Sequence, residues 1–157
     1  MSQTIPFTLD GQALQAQPGE TILKAAQRHG VDIPHLCYAD GLRPDGNCRA
    51  CVVEVAGERT LAPSCCRAVT TDMVVQAKSP RALKSQQLVL ELLLADRPEA
   101  GQRWVDGQAD RPHGELSKWA DALDVQVRPA LKALRAAAPA PDLSHPAMAV
   151  NLDACIQ

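Results

Sequence analysis

Hydrophobic and polar positions alternate near the start of the chain. In PFTLDGQALQA, Phe7 and Leu9 take every second place, Asp10-Gly11 interrupts, and Leu14 and Ala16 resume the alternation. A period of two puts one set of side chains on one face of a strand. Asp-Gly between two such runs is a strong signal for a two-residue hairpin turn. The period then changes. Ile22, Ala25 and Ala26 follow helical spacing, with Thr21 placed to cap the helix and Gly30 to stop it. After a cysteine-bearing loop, CVVEV is rich in β-branched residues and reads as a strand closed by Ala56-Gly57. TLAPSC and MVVQA are further short strands. Two strands, a helix and more strands predict a compact α+β unit over about residues 4 to 78.

From Pro80 the pattern is helical. RALKSQQLVLELLLAD predicts a helix, with residues 82 to 95 its apolar part. Its second half is apolar on more than one face, which predicts burial on several sides. Residues 97 to 114 are polar and Gly-containing and read as loop. In ELSKWADALD, Leu116, Trp119, Ala120 and Leu123 fall at i, i+3, i+4 and i+7 of an amphipathic helix. RPALKALRAAA predicts another helix starting at Pro129, PAPD at 139 to 142 a linker, and AMAVNLDACIQ a strand and turn.

Composition narrows the classes. At 157 residues, 46% hydrophobic but only 3% aromatic, the chain has material for a core but few rings on which bases could stack. A formal charge of -2 gives no electrostatic reason for a nucleic-acid or membrane partner. MSQTIPFTLD lacks a basic region followed by an apolar run, and no stretch approaches the roughly 20 apolar residues of a membrane span. A cytoplasmic setting follows as the expectation, and there clustered thiols bind metal more often than they form disulfides.

The cysteines carry the chemistry. Cys37, Cys48, Cys51 and Cys65 are spaced C-x10-C-x2-C-x13-C. Four thiolates, two for each iron, are what a [2Fe–2S] cluster requires. Gly41, Gly46 and the small or polar residues near them let the backbone wrap closely and aim N–H groups at sulfur. Zinc also accepts four cysteines, but zinc ribbons usually pair two C-x2-C knuckles, and here there is one. A Rieske centre needs histidines in C-x-H order, whereas His35-x-Cys37 runs the other way, so His35 reads as a surface or packing residue. Cys66 competes with Cys65 for the fourth place. On an extended segment neighbours point to opposite sides, so one of the two faces the iron, and Cys65 is the expected one.

The stretch GQALQAQPGETILKAAQRHGVDIPHLCYADGLRPDGNCRACVVEVAGERTLAPSC resembles the N-terminal β-grasp ferredoxin domain of a group of redox enzymes. The group comprises the NAD-dependent formate dehydrogenase α subunit, the large iron–sulfur subunit of complex I, the small diaphorase subunit of NAD-reducing hydrogenases, and iron-only hydrogenases. The resemblance covers residues 5 to 78 and implies a β-grasp fold followed by a helical segment. It also implies one [2Fe–2S] cluster on Cys37, Cys48, Cys51 and Cys65, the last following a Pro-x pair, and single-electron relay. The closing SHPAMAVNLDACIQ resembles the formate dehydrogenase α subunit most. That implies a molybdenum- or tungsten-dependent, NAD-linked parent enzyme, with further domains of a longer chain and a flavin/NAD-binding subunit as partners.

The chain departs from the group after the long helix. Members there carry H-P-x-x-C-x2-C-x5-C, which holds a [4Fe–4S] cluster. Arg97 stands in the histidine position, Gly101 in the first cysteine position, and no cysteine occurs between Cys66 and Cys155. His113 alone does not replace four ligands. Residues 79 to 141 therefore read as that helical domain without its ligands. Residues 142 to 157 read as the truncated start of a second, [4Fe–4S] ferredoxin-like module, cut after Cys155. No nucleophile–base pair, phosphate loop or acid–base dyad is evident, so no catalytic centre is expected here. Arg43, Arg49, Arg59 and Arg67 near the ligands read as a solvated basic rim, with steering of an acidic partner as the sharper alternative. A diaphorase, hydrogenase or complex I-type subunit is the alternative parent, and a zinc-binding or metal-free assembly domain the alternative of another class.

Overall fold

The computed structural model describes residues 4–96, 114–137 and 140–150. The chain divides into two compact units, Met1–Val89 and Leu90–Gln157.

In the first unit, β1 (Ile5–Leu9) and β2 (Gln12–Ala16) form the expected hairpin, with Phe7 opposite Leu14 and Leu9 opposite Gln12. Asp10 and Gly11 both have positive φ, 48° and 82°, the backbone that a tight two-residue turn between twisted strands demands. Asp10 also ties the hairpin to distant chain, its Oδ1 accepting the Ala77 N–H at 2.8 Å and the Lys78 N–H at 3.2 Å. Helix α1 (Ile22–Arg28) starts where the Thr21 hydroxyl accepts the Lys24 N–H at 3.3 Å. It ends in a reciprocal C-cap: Gly30 N–H donates to Gln27 and Val31 N–H reaches back to Ala26.

Strands β3 (Val52–Val55), β4 (Ala62–Pro63) and β5 (Met73–Gln76) complete a mixed sheet of order β2-β1-β5-β3-β4. The β1–β5 pair at its centre is parallel and the remaining pairs are antiparallel. The apolar face of α1, with Ile22, Leu23, Ala25 and Ala26, shares one buried cluster with Phe7, Leu9, Val53, Val55 and Val75. This is the α+β, β-grasp arrangement expected from the sequence. Cys51 and Cys65 belong to the same buried cluster, so two of the four candidate ligands are built into the core, while Cys37 and Cys48 are half-buried.

Helix α2 (Pro80–Ala95) begins with the Ser79 hydroxyl accepting the Ala82 N–H at 3.1 Å. Its expected burial on several sides is only partly met. Ala82, Gln86 and Leu90, four residues apart, form a buried stripe, with Glu91 and Ala95 buried beside it, but Leu92 is 53% exposed. Gln86 is a polar residue on that stripe because Nε2 donates to the carbonyls of Val52 at 2.9 Å and Ala77 at 3.3 Å. Within the second unit, the Glu91 carboxylate takes a two-pronged bond from the Arg128 guanidinium, Nε to Oε1 at 2.7 Å and Nη2 to Oε2 at 2.9 Å. Helix α3 (Gly114–Ala122) buries Trp119 and Ala120 as its spacing predicts. Helix α4 spans only Pro129–Lys132 and buries nothing. Alanine-rich spacing without a buried face does not sustain the longer helix expected there. Asp142, expected in a linker, opens β6 (Asp142–His145), which pairs with β7 (Met148–Val150). The sequence positions Arg97, Gly101, His113 and Cys155 lie outside the described residues.

Candidate cluster site

Three elements deliver the four thiols. Cys37 and Cys48 sit on the long loop between α1 and β3, Cys51 at the entrance to β3, and Cys65 in the turn after β4. The loop bends through left-handed backbone at Gly41 (φ 83°), Gly46 (φ 68°) and Arg49 (φ 57°), the last within the C-x2-C knuckle. A Cβ on Gly46 would lie 2.9 Å from Cys66 Sγ, so an added methyl there would force that thiol to shift, on top of the left-handed φ.

The thiols are grouped two and two. Cys37 and Cys48 interact directly, and the Cys48 N–H approaches Cys37 Sγ at 3.5 Å. Cys51 and Cys65, both fully buried, interact with each other. Burial works to raise the pKa of Cys37, but the N–H groups of Cys48 and Asn47 outweigh it and hold the thiol below its ordinary value. Burial raises Cys48, and burial followed by the neighbouring Cys51 charge raises Cys65. Among the described residues, no three His, Cys, Asp or Glu side chains gather as a single-ion site. Thiols grouped in two pairs match the demand of a two-iron, four-thiolate group, two sulfurs for each iron. One orphan also fits such a group. The Ser64 hydroxyl, fully buried beside Cys65, has no hydrogen-bond partner among the described residues.

Contrary to expectation, the segment that carries Cys65 and Cys66 is not extended. It is a turn, with the N–H groups of Cys66 and Arg67 both donating to the Pro63 carbonyl at 3.0 Å, so the neighbours do not point apart. Their Sγ atoms are 3.5 Å from each other. What separates them is burial, Cys65 inside and Cys66 exposed, its thiol 3.8 Å from the Pro44 carbonyl. His35 packs as expected, Nδ1–H donating to the Ile33 carbonyl at 2.8 Å and its ring edge-on to Tyr38. Burial and a hydrogen bond to Asp40 push the Tyr38 hydroxyl up to about 12. In the arginine rim, Arg43 pairs with Asp45 at 3.3 Å and Arg67 with Glu58 at 2.6 Å. Half of the supposed positive field is thereby matched by acids.

Residues 2–80 match the model of the 2Fe-2S iron-sulfur cluster binding domain. The chain belongs to that family. Its domain is similar to part of the NADP-reducing hydrogenase subunit HndD of Solidesulfovibrio fructosivorans, 46% identical over 100 residues, 60% of this chain and 17% of that protein. It is also similar to part of an NADH-quinone oxidoreductase protein of Rhizobium meliloti, 39% identical over 94 residues, 60% of this chain and 11% of that protein. Among solved structures, a chain of an NAD+-reducing [NiFe]-hydrogenase in the H2-reduced state superposes with a TM-score of 0.76 at 28% identity. That superposition covers 97% of this chain and 62% of the other. The chain thus spans under a fifth of the length of these two curated relatives. A 2Fe-2S domain of this family binds one [2Fe–2S] cluster, and homologous domains are parts of larger oxidoreductase chains. Among the described residues, no helix is long and apolar enough to cross a membrane.

Proposed function

We propose that the first unit is an electron-relay module in which Cys37 and Cys48 hold one iron of a [2Fe–2S] cluster and Cys51 and Cys65 hold the other. The observation that carries this reading is the two-and-two grouping of the thiols inside a domain of the 2Fe-2S family. When bound, such a cluster accepts and releases one electron at a time. The chain's own residues supply the surroundings. The Asn47 and Cys48 N–H groups favour negative charge on the Cys37 sulfur. The core around Cys51 and Cys65 keeps water from the other pair. Cys66 is the neighbouring thiol that does not ligate while Cys65 is present.

The parent is a multi-subunit, NAD(P)-linked oxidoreductase in the cytoplasm, with a flavin/NAD-binding subunit as electron partner. Two parents are in play. A molybdenum or tungsten formate dehydrogenase α subunit rests on the closing stretch from Ser144 to Gln157. A hydrogenase, diaphorase or complex I-type subunit is supported by the relatives just described. Residues 79–141 serve either parent as a helical segment that carries no second set of cysteine ligands.

Iron and acid-labile sulfide measured on anaerobically purified protein test the module. The expected result is two of each per chain, with a brown colour that dithionite bleaches, and loss of both in Cys48→Ser. Colourless protein containing zinc, or Cys48→Ser protein that keeps its iron, overturns the ligand set. Formate- against hydrogen-dependent reduction of the cluster in the native complex separates the two parents.

A further inference from the structure

Ser64 is fully buried, and its hydroxyl is without a hydrogen-bond partner. A buried hydroxyl left unpaired is a cost that folded proteins seldom accept without a reason. Its position suggests the reason. Strands β3 and β4 pair Val53 with Ala62 and Val52 with Pro63, and the next step of that register sets Ser64 opposite Cys51. The Ser64 N–H donates to the Cys51 carbonyl at 3.1 Å, continuing the ladder to that step. Directly opposed residues of an antiparallel pair project from the same face. That face is the one on which Cys51, Val53 and Val55 enter the buried cluster with Cys65. The hydroxyl therefore lies on the ligand side of the sheet, between the two thiols of the buried pair in chain and in register. Its one donor has no acceptor among the described residues.

We propose that the Ser64 hydroxyl is a cofactor-contacting group, donating a hydrogen bond to an anionic sulfur of the bound iron–sulfur group, either a sulfide or the thiolate of Cys51 or Cys65. The inference rests on the ligand reading above. A donor at that place favours the more negative, reduced state. The apo protein carries the unpaired hydroxyl as a penalty that binding removes.

The test compares the full chain with Ser64→Ala, a change that removes an unsatisfied group and does not endanger folding. In the reconstituted, reduced wild type exchanged into D2O, electron-nuclear double resonance should show a strongly coupled deuteron that Ser64→Ala lacks. The variant's reduction potential should move to more negative values. Its apo form should melt no lower than the wild-type apo form. An unchanged deuteron coupling overturns the proposal, whatever the potential does, because loosened packing alone shifts a potential. Failure of wild-type protein to take up iron and sulfide sinks the ligand reading and this inference with it. That outcome is seen before any variant is compared.

Discussion

At Gly46 backbone and side-chain limits coincide. The φ of 68° is strained for any L residue, and an added methyl would also meet Cys66 Sγ at 2.9 Å. Gly41, on the same loop at φ 83°, has nothing within 4 Å of an added Cβ. Gly41→Ala should therefore cost only the left-handed penalty, about 1–2 kcal/mol. Gly46→Ala should cost more, and should lower iron content per chain, because the Cys66 thiol beside the candidate ligand Cys65 must shift to admit the methyl. Cys66→Ala in the Gly46→Ala background should recover part of that excess and none of the φ strain. Thermal unfolding and iron assay of the single and double variants check this, and equal losses at both glycines would contradict it. The 2Fe-2S domain was legible in the sequence because cysteine spacing and residue type together are restrictive. Ser64 was not, because an isolated serine carries no signal until strand register places it opposite Cys51. Gln86 was likewise hidden, since its use depends on two carbonyls far away in the chain.

At the level of elements, what could be read early is what is encoded locally. Asp10-Gly11, Thr21 and Gly30 act within a few residues of themselves, and each does what its chemistry suggests. Elements that depend on distant burial departed: α4 stops after one turn for want of a face to bury, and α2 shows one fully buried stripe where several sides were expected. Helix α1 is also held by a pair that spacing did not single out. The Glu20 carboxylate receives the Arg28 guanidinium, Nε to Oε1 at 3.1 Å and Nη2 to Oε2 at 2.9 Å, and the Gln17 N–H at 2.8 Å. The Arg28 bond, set against burial and aided by the Gln17 N–H, holds the Glu20 pKa below its ordinary 4.5. A depressed carboxyl stabilises the fold fully above the unfolded value and loses that contribution as pH falls through the folded one. Apo-protein melting should therefore be flat in this respect above about pH 5 and decline below 4.5. Glu20→Gln should melt lower at neutral pH and show a shallower decline under acid. Parallel acid slopes for the two proteins would remove Glu20 from the account.

On the scale of the whole molecule, the chemistry and the family match lie in one unit. The family model covers residues 2–80, the four candidate ligands fall between Cys37 and Cys65, and the compact unit runs from Met1 to Val89. Every cap and turn that shapes the ligand loop lies in the same stretch. From α2 that stretch needs Gln86, which joins Val52, next to the candidate ligand Cys51, to Ala77 after β5. A cut after Asp96 leaves α2 whole, with its Ser79 cap and the Gln86 bonds to Val52 and Ala77. A chain of that size buries enough of its surface, about 60–70%, to fold by itself. Residues 1–96 should accordingly take up the same iron and sulfide per chain as the full protein, with the same visible spectrum. The Glu91–Arg128 pair belongs to the second unit. Its disruption by Arg128→Met should lower the stability of that unit, by leaving a buried carboxylate without its guanidinium, while the cluster spectrum stays unchanged. If residues 1–96 fold by circular dichroism yet fail to hold iron, the site depends on chain beyond α2. The cluster would then be a property of both units and not of the β-grasp domain alone.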